Sequence, residues 1–364
     1  MALSGCRTAV PAPQAAPTQP TPIPTARTST PVPEDIAWAK VLESARKEGV
    51  VTAYTSNLTG DIGRVTTEAF QKSYGIRLEI VGGIGAVLAE RIKTENAAKK
   101  FVADTFDTTI TGMLPLKDLG MFERLIDLPV LQQKDAWVVN PILDPGEGTV
   151  LQRMLTYQAP VINTKLVRPE DEPKSFLDFL DPKWAGKKLV AGQPKVSWPL
   201  VFLHTMLPDT IDEKYLRALG KQDLMIVANI RDESAVVARG EARIAVSTAL
   251  SYVDPLIREG APLKALAMKE GAVIPSAGVS ALKNAPHPNA ARVFINWWLS
   301  PEGQTVINRA IGTPSIRKDV PDFSSEATRI KPPKFLVLDE AANKLAAKYV
   351  AEGRVDKFLG VEIK

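Results

Sequence analysis

The sequence predicts an α/β fold built on a parallel sheet with helices on both faces. Short apolar runs at 50–54, 76–81 and 105–110 have the alternation or continuous apolarity of strands. Stretches of helical spacing lie between them, at 61–74 and from the turn near 85 to about 100. The connections are only a few residues long, so the order is β-α-β-α-β, and parallel strands need such helical crossovers.

The chain opens with a different composition. Residues 11–33 are Pro, Thr, Ala and Gln with hardly any large apolar side chain. Such a segment buries too little surface to offset chain entropy, so 1–33 reads as an extended tether with no fixed structure before about Glu34. Leu3-Ser4-Gly5-Cys6 is similar to a bacterial lipobox, in which the cysteine is lipidated. The apolar segment of a signal peptide does not precede it, which fits a start codon set too far downstream or a signal already removed. A stray terminal cysteine is the other reading.

A helix is expected at 34–48, with Ile36, Val41, Leu42 and Ala45 on one side and Gly49 as its stop. A buried strand at 50–54 ends in Thr55-Ser56-Asn57. The helix at 61–74 turns Ile62, Val65, Ala69 and Phe70 inward. After the strand at 76–81 comes the glycine turn Gly82-Gly83-Ile84-Gly85, which runs into Val87, Leu88 and Ile92 at helical spacing. Glycines there let the backbone approach a ligand, and the helix start offers unpaired N–H groups to an anion or an electron-rich oxygen. The same residues would also serve as a plain tight βα turn. A dinucleotide fingerprint fits poorly: Gly83-x-Gly85 matches its start, but Leu88 stands where the third small residue belongs, and 103–107 around Asp104 is a poor Rossmann strand.

In open sheets of this kind ligands sit beyond the carboxyl ends of the strands. That rule gathers Thr55, Ser56, Asn57, Gly83, Ile84, Gly85, Thr108 and Thr109 on one rim suited to oxygen-rich solutes. A long strand at 152–163 is then expected to leave this lobe.

Composition removes several function classes. The formal net charge is +4 over 364 residues, with the basic residues scattered, which makes nucleic acid a poor partner. One cysteine and two histidines exclude a Cys/His zinc site and an intrachain disulfide. No apolar run reaches the roughly 18 residues of a membrane span. His287, between Pro286 and Pro288, is expected to face solvent, and His204 in the apolar run 200–206 to be a satisfied core or surface histidine. No Ser/His/Asp or Cys/His arrangement is visible, so no enzyme is expected.

The phrase Pro173-Lys174-Ser175-Phe176-Leu177-Asp178-Phe179-Leu180-Asp181-Pro182-Lys183-Trp184-Ala185-Gly186-Lys187, after Asn163-Thr164, resembles the extracellular solute-binding proteins of ABC importers. The likeness is to their ferric-iron, polyamine and phosphonate branch. The passage 238–246 and the segment 271–317 resemble the same family, and the likeness covers about 49–320. The resemblance implies a type II periplasmic-binding-protein fold: two α/β lobes that close on a solute about a hinge. The implied division is lobe 1 over 34–158 with a return at about 271–285, lobe 2 over 159–270, and a C-terminal helical segment over 286–364. Helices are expected at 289–299 and 301–310, the second opened by Ser300-Pro301-Glu302.

The family's second-lobe ligand loop falls on 193–198, where Ser197 matches and Trp198 departs as a flat wall or as ordinary packing. Thr248 and Tyr252 fall in the strand-end stretch 246–252, where ferric binders of the family carry two adjacent tyrosines. Only Tyr252 is present, so it reads better as a hydrogen-bond donor to a carboxylate or phosphonate than as an iron ligand. The expectation is a monomeric, exported protein without a cofactor, periplasmic or lipid-anchored through Cys6. It would deliver a small anionic or oxygen-rich solute to a permease, with ferric iron as the alternative cargo.

Overall fold

A computed structural model describes residues 33–361. Of the expected tether at 1–33, all but Pro33, which opens α1, lies outside the described residues, Cys6 included. The chain begins with α1 (Pro33–Glu48), followed by β1 (Val50–Thr55), α2 (Gly60–Tyr74), β2 (Arg77–Gly82), α3 (Gly85–Ala97), β3 (Thr105–Thr109) and α4 (Ile110–Asp118). β1 is buried along almost its whole length, as a central parallel strand must be. Gly75 ends α2 in the left-handed region, at φ 71°, and donates its N–H to the Gln71 carbonyl.

The expected strand at 152–163 is two strands belonging to different sheets. β4 (Leu151–Gln152) closes the first sheet, and β5 (Gln158–Asn163) enters the second. Residues 153–157 cross between them. The second sheet continues through β6 (Leu189–Gly192), α5 (Pro199–Met206), α6 (Glu213–Gly220), β7 (Met225–Val227), α7 (Ile230–Arg239), β8 (Ile244–Ala249), α8 (Leu250–Arg258), β9 (Leu263–Ala265) and β10 (Ala272–Ile274). The phrase at 173–187 forms two short 3-10 turns, the first fixed by a capping box between Ser175 and Asp178.

The chain then crosses back through 275–276 into β11 (Ala277–Ala281), α9 (Pro288–Trp298) and α10 (Pro301–Ile311). It crosses a third time into β12 (Phe335–Val337), α11 (Glu340–Ala351) and α12 (Arg354–Leu359). The first sheet has the order β2-β1-β3-β11-β4, and the second β12-β10-β5-β8-β6-β7 with β9 beside β5. The return to the first sheet therefore starts at Ala277, not Gly271, because β10 pairs with β5 and β12. The stretch 286–364 is likewise not one unit. α9 packs on α1 and α10 on α2, whereas α11 and α12 pack on α5 and α6.

One apolar cluster runs through both sheets, and a separate group of aromatic rings packs on each. Phe70, Phe294 and Trp297 meet with ring centroids 5.2–6.2 Å apart under the first. Phe176, Phe179, Trp184 and Tyr215 fill the second. The Ser300 hydroxyl caps α10 by accepting from Gly303 N–H at 3.2 Å.

Candidate ligand cleft between two sheets

Pairing at the crossings aims the strand ends of the two lobes at each other. Thr109, the last residue of β3, pairs with Ala277, the first of β11. Ala249, the last residue of β8, pairs with Gln158, the first of β5. Both carboxyl ends thus stop one residue pair from the crossing segments, and the rims face across them.

On the first rim, the Thr55 hydroxyl accepts from the N–H groups of Asn57 and Leu58 at 3.0 and 2.9 Å, which fixes the turn after β1. Ser56 Oγ donates to Thr108 Oγ1 at 3.2 Å. Gly83 N–H donates to the Thr55 carbonyl at 3.0 Å. Gly85 lies so close to Thr108 that a Cβ there would collide with its side chain, so the start of α3 rests directly on β3. Thr109 and Thr111 hydroxyls lie 3.1 Å apart. Ile84 stands out from this rim at 73% exposure, and Val87 beside it is exposed as well. Of the residues expected on one rim, Thr55, Asn57 and Gly83 are joined by these hydrogen bonds, as are Ser56 and Thr108, and Gly85 packs on Thr108.

Beneath the rim lies a residue the sequence reading passed over. Arg153 is buried on the crossing segment, with Nε 2.9 Å from Asp107 Oδ2. Burial drives the Asp107 carboxyl upward while the Arg153 charge opposes the shift. The Asn57 amide faces the guanidinium, and its oxygen is the atom that fits there, accepting from Nη1 and Nη2. The indole of Trp298 lies under the guanidinium at 5.6 Å.

On the second rim, Ser197 and Thr248 are buried at the ends of the 193–198 loop and β8. Ser197 Oγ donates to Glu233 Oε1 at 3.0 Å, and Gly192 N–H donates to the same oxygen at 2.7 Å. Thr248 Oγ1 lies 3.1 Å from Ser234 Oγ. Trp198 is half-buried as the residue before α5 and packs edge-on against Phe202, centroids 5.7 Å apart. Glu233 was also missed, although its spacing to Val236 and Val237 places it on the apolar face of α7. Tyr252 is not at a strand end, because β8 stops at Ala249. It lies in the first turn of α8, with the Arg231 guanidinium 5.0 Å from its ring centre.

Five helices that follow rim strands or loops start without a side-chain cap: α2 at Thr59, α3 at Ile84, α4 at Thr109, α5 at Trp198 and α8 at Ala249. Elsewhere α6, α10 and α11 are capped by Asp212, Ser300 and Asp339, while α9 at His287 and α12 at Gly353 also start without a side-chain cap. Asn229 caps α7, the exception at a rim strand. The partial positive charge of the uncapped ends is therefore turned toward the gap from both lobes.

The two histidines are elsewhere. His204 Nδ1 lies 2.6 Å from the Ile211 carbonyl. His287 is not solvent-facing as expected: its Nδ1 is 3.0 Å from buried Asp104 Oδ2, at the amino end of β3, away from the rim. Among the described residues no group of three or more His, Cys, Asp or Glu side chains could hold a metal ion, and no helix is long and apolar enough to cross a membrane.

Two sheets joined by crossing strands, with facing rims of polar turns, define a two-lobed solute-binding protein of the type II periplasmic class. Residues 66–335 match the model of the bacterial extracellular solute-binding proteins, and the chain belongs to that family. It is 25% identical over 280 residues to a Haemophilus influenzae protein described only as uncharacterized, covering 74% of this chain and 78% of that one. Iron-bound HitA from Pseudomonas aeruginosa has a similar fold, with TM-score 0.67 and 23% identity over 85% of this chain and 99% of the other. AfuA from Actinobacillus pleuropneumoniae, with fructose-6-phosphate bound, gives TM-score 0.63 and 19% identity over 86% and 98%.

Proposed function

We propose that the protein captures a small anionic, oxygen-rich solute between its lobes and delivers it to the permease of an ABC importer at the outer face of the cytoplasmic membrane. The five uncapped helix starts directed at one gap carry this reading. Such ends favour negative charge, and enclosure between lobes strengthens each hydrogen bond made there. In this reading Ser56, Asn57, Thr108, Thr109 and the amides of 83–85 serve the ligand from the first lobe. Ser197, Trp198, Thr248 and Tyr252 serve it from the second. The protein works as a monomer, and Cys6 is its lipid anchor. No step of bond breaking is assigned, since neither histidine lies at a rim.

Ferric iron is the second reading, favoured by the iron named for HitA. It needs anionic oxygen donors, and Tyr252, the tyrosine expected for it, has the Arg231 cation at its ring, so a borrowed anion would have to complete the site. A thermal-shift screen of carboxylates, phosphonates, sugar phosphates, polyamines and ferric salts separates the readings. At about a hundredfold excess over Kd the true solute adds about 2.7 kcal/mol of stability. An anion as the best hit supports the proposal. A ferric salt that also gives a visible charge-transfer band supports iron, and a polyamine as the best hit overturns both.

A further inference from the structure

We propose that Glu233 is a positioning residue for the second rim: one carboxyl group ties the end of β6 to the 193–198 loop, and loss of its proton loosens them. The inference rests on the reading that this rim receives the solute.

The geometry is that of a clasp. Glu233 is fully buried on α7. Its Oε1 accepts from Gly192 N–H at 2.7 Å, at the end of β6, and from Ser197 Oγ at 3.0 Å, in the loop. The Thr248 hydroxyl, at the end of β8, is held by α7 itself, donating to the Ile230 carbonyl at 3.3 Å and lying 3.1 Å from Ser234 Oγ. The packing leaves no slack, because a Cβ on Gly192 would strike both Ser197 and the carboxyl.

Among the described residues no cation balances this group. Arg231 lies at the Tyr252 ring, and Asp232 accepts from Asn229 Nδ2. Arg239 pairs with Glu241, and Asp254 of α8 with Arg258. Lys195 of the loop is exposed and turned toward Asp356, and His204 of α5 bonds Ile211. Oε2 is buried without a hydrogen-bond partner. An ionised carboxylate there would be a buried charge without a counter-ion, a cost that the neutral carboxylic acid avoids. Burial accordingly pushes the group up to about 8, against the pull of Ser197 and Gly192. Above that pH an uncompensated charge sits under the loop, and letting water in relieves it.

Trp198 follows Ser197 directly, so its indole reports the loop. The test titrates tryptophan emission of the full protein from pH 6 to 9, without solute, in wild type, Trp198→Phe and Glu233→Gln. The expected result is a transition centred at about 8 that Trp198→Phe removes from the signal and Glu233→Gln abolishes. Amide hydrogen exchange at 192–198, corrected for intrinsic rates, should rise through the same range only in proteins that keep Glu233. Should Glu233→Gln fail to fold, carboxyl carbon-13 NMR of the wild type decides, with Glu233 titrating near 8. A transition that persists in Glu233→Gln, its absence from the wild type, or an ordinary titration of Glu233 overturns the proposal. No solute enters this experiment, so its failure leaves the transport reading standing. Failure of the solute screen with the transition intact removes that reading alone.

Discussion

Arg153 Nε lies 2.9 Å from Asp107 Oδ2, and both side chains are shut off from solvent where the chain leaves the first sheet. Removing one partner of such a pair strands the other charge. Arg153→Met should cost about 3–5 kcal/mol in urea unfolding, and Arg153→Met with Asp107→Asn should recover much of it. A double-variant loss equal to the sum of the Arg153→Met and Asp107→Asn losses would show that the pair is not coupled.

Stability should depend on pH through Glu233. Its folded value is raised to about 8 from 4.5, so the folded state keeps a proton that the unfolded chain releases. The contribution of Glu233 is therefore full below about 4.5, falls between about 4.5 and 8, and is lost above. The buried carboxyls of Asp104 and Asp107 are raised too, by desolvation, and act in the same direction. Urea midpoints of the wild type across this range should decline with rising pH, and those of Glu233→Gln should decline less. A Glu233→Gln curve parallel to the wild type would refute the assignment.

The lobes also touch through charge. Lys117 on α4 lies 2.8 Å from Glu147 of its own lobe and 3.2 Å from Glu340 on α11 of the other, and Lys344 lies 2.8 Å from Glu340. Lys117→Met leaves two carboxylates facing each other without their shared cation. The distance distribution between spin labels at exposed positions 72 and 221, one in each lobe, should broaden in that variant. An unchanged distribution would mean that the cluster does not hold the lobes.

Gly85 should tolerate no side chain. Gly85→Ala drives a methyl into Thr108, and overpacking of this kind costs about 1–3 kcal/mol. Because the first turn of α3 lies at the rim, solute affinity should fall with it. Alanine accepted without loss of either would show that the contact relaxes freely.

Local patterning made much of this fold legible. The strand–helix alternation from Val50 to Thr109 follows from period and from glycine stops such as Gly75, and the strand-end rule gathers Ser56, Gly83 and Thr108 correctly. The crossing at 153–157 was hidden because apolar residues continue through it, and a change of sheet leaves no local mark. Arg153 was masked by the same run, since its counter-charge on β3 is distant in sequence. Tyr252 was assigned one element too early, where β8 passes into α8 without a glycine or proline to mark the boundary. Glu233 was readable from its helical spacing but not its environment, which depends on Gly192 and Ser197 folding over it.

The most direct test of the central claim follows the distance between labels at 72 and 221 while citrate, fructose-6-phosphate, phosphonoacetate, spermidine and ferric chloride are added in turn. The account predicts that an anion shortens and narrows that distance while spermidine leaves it unchanged. Closure by spermidine or by ferric ion alone, or tight anion binding with the lobes unmoved, would contradict it.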